Sequence, residues 1–177
     1  MGICGECFIF TPSNFYYPMT NLHGEYECRI DEKGRIIIPA GLKKQLPAEA
    51  QEKFVINRGI EHCLTMYPMN EWMEVSMDVN KRVDLFTEDD RRFARKFNAG
   101  TADLQLDASN RVLIPKSLLE YAKIDKDLIL SAFSNRIEVW SKDEYEEHLK
   151  MTEKEYSKLA EKVMGKHNKP EEPENVS

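Results

Sequence analysis

The stretch Asp31-Glu32-Lys33-Gly34-Arg35-Ile36-Ile37-Ile38-Pro39 decides the fold of this 177-residue chain, because it occurs twice. The second copy, Asp107-Ala108-Ser109-Asn110-Arg111-Val112-Leu113-Ile114-Pro115, begins 76 positions later. In both copies an aspartate opens a turn, a turn-forming residue precedes an arginine, and three apolar residues lead to a proline. The flanking sequence keeps the same offset, since Gly24 and Gly100 each stand seven residues before the aspartate. Two copies of one unit predict a pseudo-two-fold structure made of two similar halves.

The residues around each copy predict the same series of elements: strand, turn, strand, short helix, two strands and a helix. In the first half the predicted strands are 25–30, 36–38, 53–58 and 63–67, with helices at 40–46 and from residue 70. In the second half the predicted strands are 101–106, 112–114, 127–133 and 136–140, with helices at 116–122 and 142–163. A further helix over 88–98 begins after Thr87 and lies between the halves.

Eight short strands can close a barrel, whereas the four strands of one half cannot. We therefore predict an α+β fold in which two half-barrel repeats form one pseudo-two-fold β-barrel with flanking helices. The apolar triplets of both copies are expected to fill the barrel, together with alternate residues of the other strands. The residues expected to be buried are Ile30, Ile36, Ile38, Val55, Leu64, Leu106, Val112, Ile114, Leu128 and Ile137.

The same pattern predicts how the chain is divided. Residues 1–18 are aromatic and have no counterpart before the second copy, so we expect an appended extension without fixed structure unless a partner orders it. The polar, proline-containing tail is expected to be disordered. The expected segments are the extension 1–18, a first repeat 24–70, a helical linker 71–98, a second repeat 100–143, a C-terminal helix 144–164 and a tail 165–177.

Composition excludes several classes of protein. The chain has no run of about 18 apolar residues that would span a membrane, and its start lacks the pattern of a secretory signal, so we expect a cytosolic protein. Cys4 and Cys7 have metal-site spacing, but no second pair follows, and we predict no metal site. Cys28 fits a small core residue. We also predict no cofactor and no enzyme activity, because neither a nucleophile–base set nor a glycine-rich phosphate loop is visible.

The symmetry alone would also fit an enzyme. Asp31 and Asp107 could form a shared-proton pair, as the two halves of aspartic proteases do. In those enzymes a small hydroxyl residue and then glycine follow the aspartate. Here Glu32-Lys33 and Ala108-Ser109 follow instead, which disfavours a buried catalytic pair.

A strand followed by D-x-x-G-R, an apolar triplet and a proline resembles the swapped-hairpin barrels of the AbrB/MazE type, also called SpoVT-AbrB. Two copies in register, with the start Gly24-Glu25-Tyr26 and the positions Tyr67-Pro68 and Trp140-Ser141, resemble the MraZ family of bacterial transcriptional regulators. The resemblance covers about residues 20–150. Two copies with matching flanks are a far more specific signal than one.

The resemblance implies a cytoplasmic, nucleoid-associated protein that assembles into a ring-shaped homo-oligomer. It implies binding to short direct repeats in double-stranded DNA upstream of the operon of division and cell-wall genes that starts with its own gene, mostly as a repressor. The family's DNA-contacting segments correspond here to Asp31, Lys33, Gly34 and Arg35, and to Asp107 and Arg111. The second copy departs from the pattern at Asn110, where glycine is usual, and at Ser109, where the first copy has lysine.

Physical arguments support this interpretation and keep alternatives open. Arginine can make two parallel hydrogen bonds to a phosphate or a guanine edge, and Lys33 at the turn apex adds a phosphate contact. The net charge of −6 argues mildly against nucleic-acid binding, but a ring multiplies a locally positive face. Alternatively, Arg35 and Asp31 only pair with each other to hold the barrel, and the same alternative applies to the second loop. For the whole chain, the alternative is an antitoxin-like barrel that binds another protein, for example through the amphipathic C-terminal helix.

Overall fold

The computed structural model describes residues 20–50 and 52–165. The strands are β1 Leu22–Arg29, β2 Arg35–Ile37, β3 Lys53–Arg58, β4 Leu64–Pro68, β5 Ala102–Gln105, β6 Arg111–Leu113, β7 Asp127–Ser134 and β8 Arg136–Ser141. The helices are α1 Ala40–Lys43, α2 Met69–Arg82, α3 Glu88–Asn98, α4 Lys116–Tyr121, α5 Lys142–His148 and α6 Glu153–Met164. The expectations for residues 1–18 and for 166–177 fall outside the described residues.

Six strands form one antiparallel sheet in the order β1-β7-β8-β4-β3-β5, and the two repeats exchange their first strands within it. The strand β1 of the first repeat pairs along its full length with β7 of the second, from Leu22↔Ser134 to Arg29↔Asp127. Reciprocally, β5 of the second repeat pairs with β3 of the first. The strands β4 and β8 meet at the centre of the sheet. Each half is therefore completed by the other, as a pseudo-two-fold structure requires.

The predicted α+β class is confirmed, but the eight described strands form two sheets instead of one closed barrel. The strands β2 and β6 pair with each other as a separate two-stranded sheet. Between β1 and β2 there is a single bridge, Ile30↔Ile36, before β2 diverges toward β6. Pro39 and Pro115 follow closely and lack the N–H group that a longer ladder needs. The short strands thus cover one side of the core without closing the ring of hydrogen bonds.

The core lies between the two sheets. Every residue predicted to be buried is buried except Ile30, which is half-buried at the edge of the core. Val55 is buried on the opposite face of β3 from the one expected, because its neighbours Phe54 and Ile56 point into the core. The triplet prediction is wrong in its middle positions. Ile37 and Leu113 are 60% and 56% exposed, since alternate residues of β2 and β6 face solvent.

Helices cover the outer face of the six-stranded sheet. Over the first repeat, α2 and α3 pack through a row of aromatic rings in which Trp72 lies between Tyr67 and Phe97, at centroid distances of 5.7 and 5.5 Å. Over the second repeat, α5 places Tyr145 against Trp140 at 6.0 Å. Tyr67 and Trp72 therefore correspond to Trp140 and Tyr145, as the repeat predicts.

The single C-terminal helix predicted over 142–163, and counted as the segment 144–164, is wrong. Ser141 caps α5 by accepting the N–H of Glu144, and α5 ends at His148. Thr152 then begins α6 with a complete capping box, in which its side chain and that of Glu155 bond each other's backbone N–H groups. The capping box therefore starts a new helix at Thr152, although the apolar periodicity of the sequence continues through this point. Every side chain of α6 except that of Ala160 is exposed.

Within residues 20–50 and 52–165, no helix is both long and apolar enough to cross a membrane. Over the same residues, no cluster of three or more His, Cys, Asp or Glu side chains could hold a metal ion. Cys4 and Cys7 lie outside the described residues. Cys28 is half-buried and Cys63 is buried, and burial raises the pKa of the Cys63 thiol to about 12, which keeps it unreactive.

Candidate nucleic-acid interface

The two repeated motifs form the same turn. Oδ1 of Asp31 accepts the backbone N–H groups of Lys33 and Arg35, each at 2.9 Å. Oδ1 of Asp107 does the same for Ser109 and Arg111, at 2.8 and 3.0 Å. The carboxylate thus satisfies backbone donors that a tight turn would otherwise leave unpaired. Both turns are therefore built by their own sequence.

The second oxygen of each aspartate holds the arginine four residues on. Arg35 donates from Nε and Nη2 to Oδ2 of Asp31 at 2.7 and 2.6 Å, and Arg111 pairs with Asp107 in the same way at 2.8 Å. The hydrogen bond from Arg35 is the largest influence that lowers the pKa of Asp31, to about 2. The bond from Arg111 likewise lowers the pKa of Asp107. Both carboxylates are therefore ionised at neutral pH, and each guanidinium is fixed by its own turn.

The strands β2 and β6 bring the two arginines onto one surface. We call this two-stranded sheet, Arg35–Ile37 paired with Arg111–Leu113, the ribbon. Arg35 is opposite Leu113, Ile36 is opposite Val112, and Ile37 is opposite Arg111. Ile36 and Val112 are fully buried beneath the ribbon, so the residues on either side of them must point outward. The guanidinium-bearing side chains are 28% and 31% exposed. Their attachment points lie diagonally across the ribbon, about 7–8 Å apart by usual sheet geometry.

The ends of the ribbon are unequal. The turn at the first end contains Gly34, whose φ of +82° favours glycine, and carries the exposed Lys33. The turn at the second end adopts the same backbone with Asn110 at φ +58°, a conformation that asparagine tolerates. The Asn110 side chain accepts a hydrogen bond from Lys43, which also pairs with Glu52 at 2.8 Å. Lys43, beside the second turn, is thus committed to contacts within the protein, whereas Lys33 is exposed at the first turn.

A groove of about 700 Å³ runs between the first turn and α4. Its walls carry three lysines and four acidic residues, and its floor is apolar, with Ile114 and Leu119 among its residues. Acidic side chains outnumber the lysines in this groove, which disfavours phosphate, whereas at the ribbon the three predicted cations outnumber the two aspartates. The ribbon is therefore the better candidate for contact with an anionic ligand.

All six residues predicted for the site lie on the ribbon or in its two turns. The structure also argues against the protease hypothesis. Asp31, Lys33, Gly34 and Arg35 lie at one end of the ribbon, and Asp107 and Arg111 at the other. A shared-proton pair needs two carboxyls about 3 Å apart. Here each carboxylate is bonded to its own arginine in its own turn.

Two outward-facing residues of the ribbon were not predicted from the sequence. Ile37 and Leu113 lie on the same outward face as the arginines, although they are apolar and stand inside the triplets assigned to the core. The available signal was the two-residue period of a strand, which exposes the middle residue of a triplet when its neighbours are buried.

Comparison with known proteins agrees with the repeat. A family model described as "MraZ protein, putative antitoxin-like" matches residues 22–96 and again 97–166. The chain is 43% identical over 148 residues to the transcriptional regulator MraZ of Christiangramia forsetii, covering 83% of this chain and 95% of that protein. It is 42% identical over 154 residues to the transcriptional regulator MraZ of Flavobacterium psychrophilum, covering 86% and 98%. Because the family model matches both halves and these relatives are covered almost from end to end, the chain belongs to the MraZ family.

Proposed function

We propose that this protein is a transcriptional regulator that binds double-stranded DNA in a sequence-specific manner through the ribbon. The observation that carries the proposal is the pairing of β2 with β6, which presents Arg35 and Arg111 on one exposed face above a sealed core. The major groove of B-form DNA is wide enough to admit a two-stranded β-ribbon. The names of the relatives, transcriptional regulators, agree with this function and not with an enzyme.

In this proposal the six predicted residues have four roles. Arg35 and Arg111 contact guanine edges or phosphates, for which a guanidinium has five N–H donors, two of them used in its ion pair. Asp31 and Asp107 hold the arginines in position. Gly34 lets the first turn approach the backbone of the DNA closely, and Lys33 adds a phosphate contact.

The proposed target follows from the family: short direct repeats upstream of the division and cell-wall operon that begins with the protein's own gene, where binding represses transcription. The protein would then act in the cytoplasm, at the nucleoid. A single ribbon neutralises only a few phosphates, and the chain carries a net charge of −6. We therefore propose a ring-shaped homo-oligomer, in which several ribbons bind successive repeats and the effective concentration of each is raised by its neighbours.

The exposed apolar side chains support self-association. Several of them lie on α6, including Tyr156, Leu159 and Val163, and two more, Leu85 and Phe86, lie between α2 and α3. The same side chains would serve the second candidate function, an antitoxin-like module that binds another protein without touching DNA. The ribbon favours DNA binding, because binding of another protein through α6 would not explain why both arginines are held on one exposed face.

Gel-shift titration of the DNA upstream of the protein's own gene tests the proposal. At about 50 mM salt we expect saturable binding that weakens strongly at about 200 mM. Arg35→Ala should weaken it by about 1–3 kcal/mol for a lost bidentate contact. Arg82→Ala is the matched control, because Arg82 makes the same i, i+4 pair with Asp78 at 3.0 Å on α2, away from the ribbon. If the two variants bind alike, Arg35 has no role in the contact; if the unaltered protein fails to bind, the function is wrong.

A further inference from the structure

The outward face of the ribbon carries two apolar side chains that the proposed arginine contacts leave unused. Ile37 and Leu113 are 60% and 56% exposed. A single exposed apolar residue is common, but these two share one face with both arginines. They stand at equivalent positions of the two repeats, 76 residues apart. On the outward face of the ribbon, two arginines therefore alternate with two apolar residues.

The register places each apolar side chain directly across from an arginine. Arg35 is opposite Leu113, and Arg111 is opposite Ile37. Directly opposed side chains have Cβ atoms about 4.5–5.5 Å apart. Successive base pairs rise by about 3.4 Å along the duplex. A ribbon lying in the major groove therefore places each apolar side chain within one or two base pairs of the base that the opposed arginine reads.

The major groove offers one apolar group on the edges of its bases, the C5-methyl of thymine. We propose that Ile37 and Leu113 determine sequence specificity by packing on thymine methyl groups, each within one or two base pairs of a guanine contacted by the opposed arginine. This inference rests on the proposed DNA-binding function and adds to it a second class of base that the ribbon reads. An apolar protein surface on the same face would leave the free donors of both guanidinium groups unpaired, whereas guanine edges and phosphates accept them.

Two versions of one duplex test the inference: the DNA upstream of the protein's own gene with thymine, and the same DNA with uracil in place of every thymine. Uracil keeps the base-pair hydrogen bonds and lacks only the methyl group. We expect the protein to bind the thymine duplex at least fourfold more tightly, which corresponds to about 0.8 kcal/mol for one buried methyl group. Ile37→Ser and Leu113→Ser should each reduce that ratio, and the double variant should bring it close to one.

Ile60→Ser is the matched control, because Ile60 is 93% exposed outside the ribbon and its replacement should leave the full ratio. Uracil also changes the shape of a duplex, but an effect of shape alone would persist in the double variant. Equal binding of both duplexes by the unaltered protein, or a full ratio in a double variant with an unchanged unfolding midpoint, overturns the inference. Equal and tight binding leaves DNA binding intact and removes only the methyl contact, whereas binding to neither duplex overturns the proposed function as well.

Discussion

At the scale of single residues, each aspartate of the repeated motif uses its two oxygens differently. Oδ1 of Asp31 accepts backbone N–H groups and shapes the turn, while Oδ2 accepts the guanidinium of Arg35 and orients it. Holding the fold and contacting a ligand are therefore compatible uses of Arg35. The ion pair occupies two of its five donors and removes much of the freedom that the side chain would otherwise lose on binding.

The pKa of Asp31 should depend on Arg35. That pKa is lowered from 3.8 to about 2, chiefly by the hydrogen bond from the Arg35 side chain. A carboxyl whose folded-state pKa is lowered stabilises the fold above its unfolded pKa and loses this contribution as pH falls through the folded value. Between about pH 4 and pH 2 the unaltered protein should therefore lose more stability than Arg35→Ala. Carboxyl NMR titration should show the pKa of Asp31 rising toward 3.8 in Arg35→Ala and unchanged in Arg82→Ala; an Asp31 that titrates near 3.8 in the unaltered protein would contradict the pairing.

The turn residues could be predicted from the sequence because their chemistry is local. An aspartate that bonds the backbone ahead of it and a glycine at positive φ need no information from elsewhere in the chain. The exposure of Ile37 could be predicted only in part. The two-residue period of a strand puts Ile37 on the opposite face from Ile36 and Ile38, but which face is buried depends on the pairing with β6, 76 residues later.

At the scale of elements, the first turn depends on glycine more than the second does. A Cβ at Gly34 would stand 3.2 Å from the carbonyl oxygen of Ile114, at a φ of +82°. Gly34→Ala should lower the free energy of unfolding by about 1–2 kcal/mol, the usual cost of the left-handed conformation for an L-residue. Gly165→Ala, at φ −71° in open space, should change it by less than about 0.5 kcal/mol.

Urea unfolding at a fixed protein concentration measures both variants, since assembly shifts apparent stability. Gly34→Ala and Gly165→Ala with equal midpoints would mean that the first turn relaxes without strain. Asn110→Gly provides the converse comparison. It relieves the backbone but removes the bond to Lys43, so the second turn should gain little.

The bounds of most elements followed from pattern, and α3 was predicted without error over 88–98. The prediction of a single C-terminal helix was wrong, because the amphipathic period of the sequence continues across the break at 149–151. The capping box at Thr152 starts a new helix there. The prediction of a closed barrel was wrong for a different reason. Strand number can be counted from the sequence, but which strands share hydrogen bonds depends on how far β2 travels from β1 after the turn.

At the scale of the whole molecule, the pseudo-two-fold symmetry holds for the sheets and fails for the helices. In the first repeat α2 has 14 residues, and α3 packs back against its sheet through Phe97 and Trp72. In the second repeat α5 has only 7 residues, and α6 keeps its apolar side chains in solvent. A 12-residue helix without tertiary packing is marginal in water. We therefore expect α6 to be stabilised by another copy of the chain.

Replacing the apolar face of α6 should break the proposed ring without unfolding the subunit. Tyr156 and Leu159 are 67% and 44% exposed in the single chain, so Tyr156→Ser/Leu159→Ser removes little from its own core. Light scattering should show a lower molar mass for this variant. The control is Lys158→Ser/Glu161→Ser, which makes two serine replacements on the opposite face of α6 and keeps the net charge. That control should retain the mass of the unaltered protein.

DNA binding by the same pair of variants separates the ribbon from the assembly. A duplex with one target repeat engages one ribbon, so its affinity should be alike in both variants and in the unaltered protein. A duplex with several repeats gains from linked ribbons, so the α6-face variant should lose at least about a hundredfold there, the low end of what multivalency contributes. If that variant keeps the full molar mass, α6 is not part of the contact between subunits. If it loses mass and still binds several repeats as tightly as before, the acidic chain needs no ring to hold its DNA, and the affinity must come from a single ribbon and its two arginines.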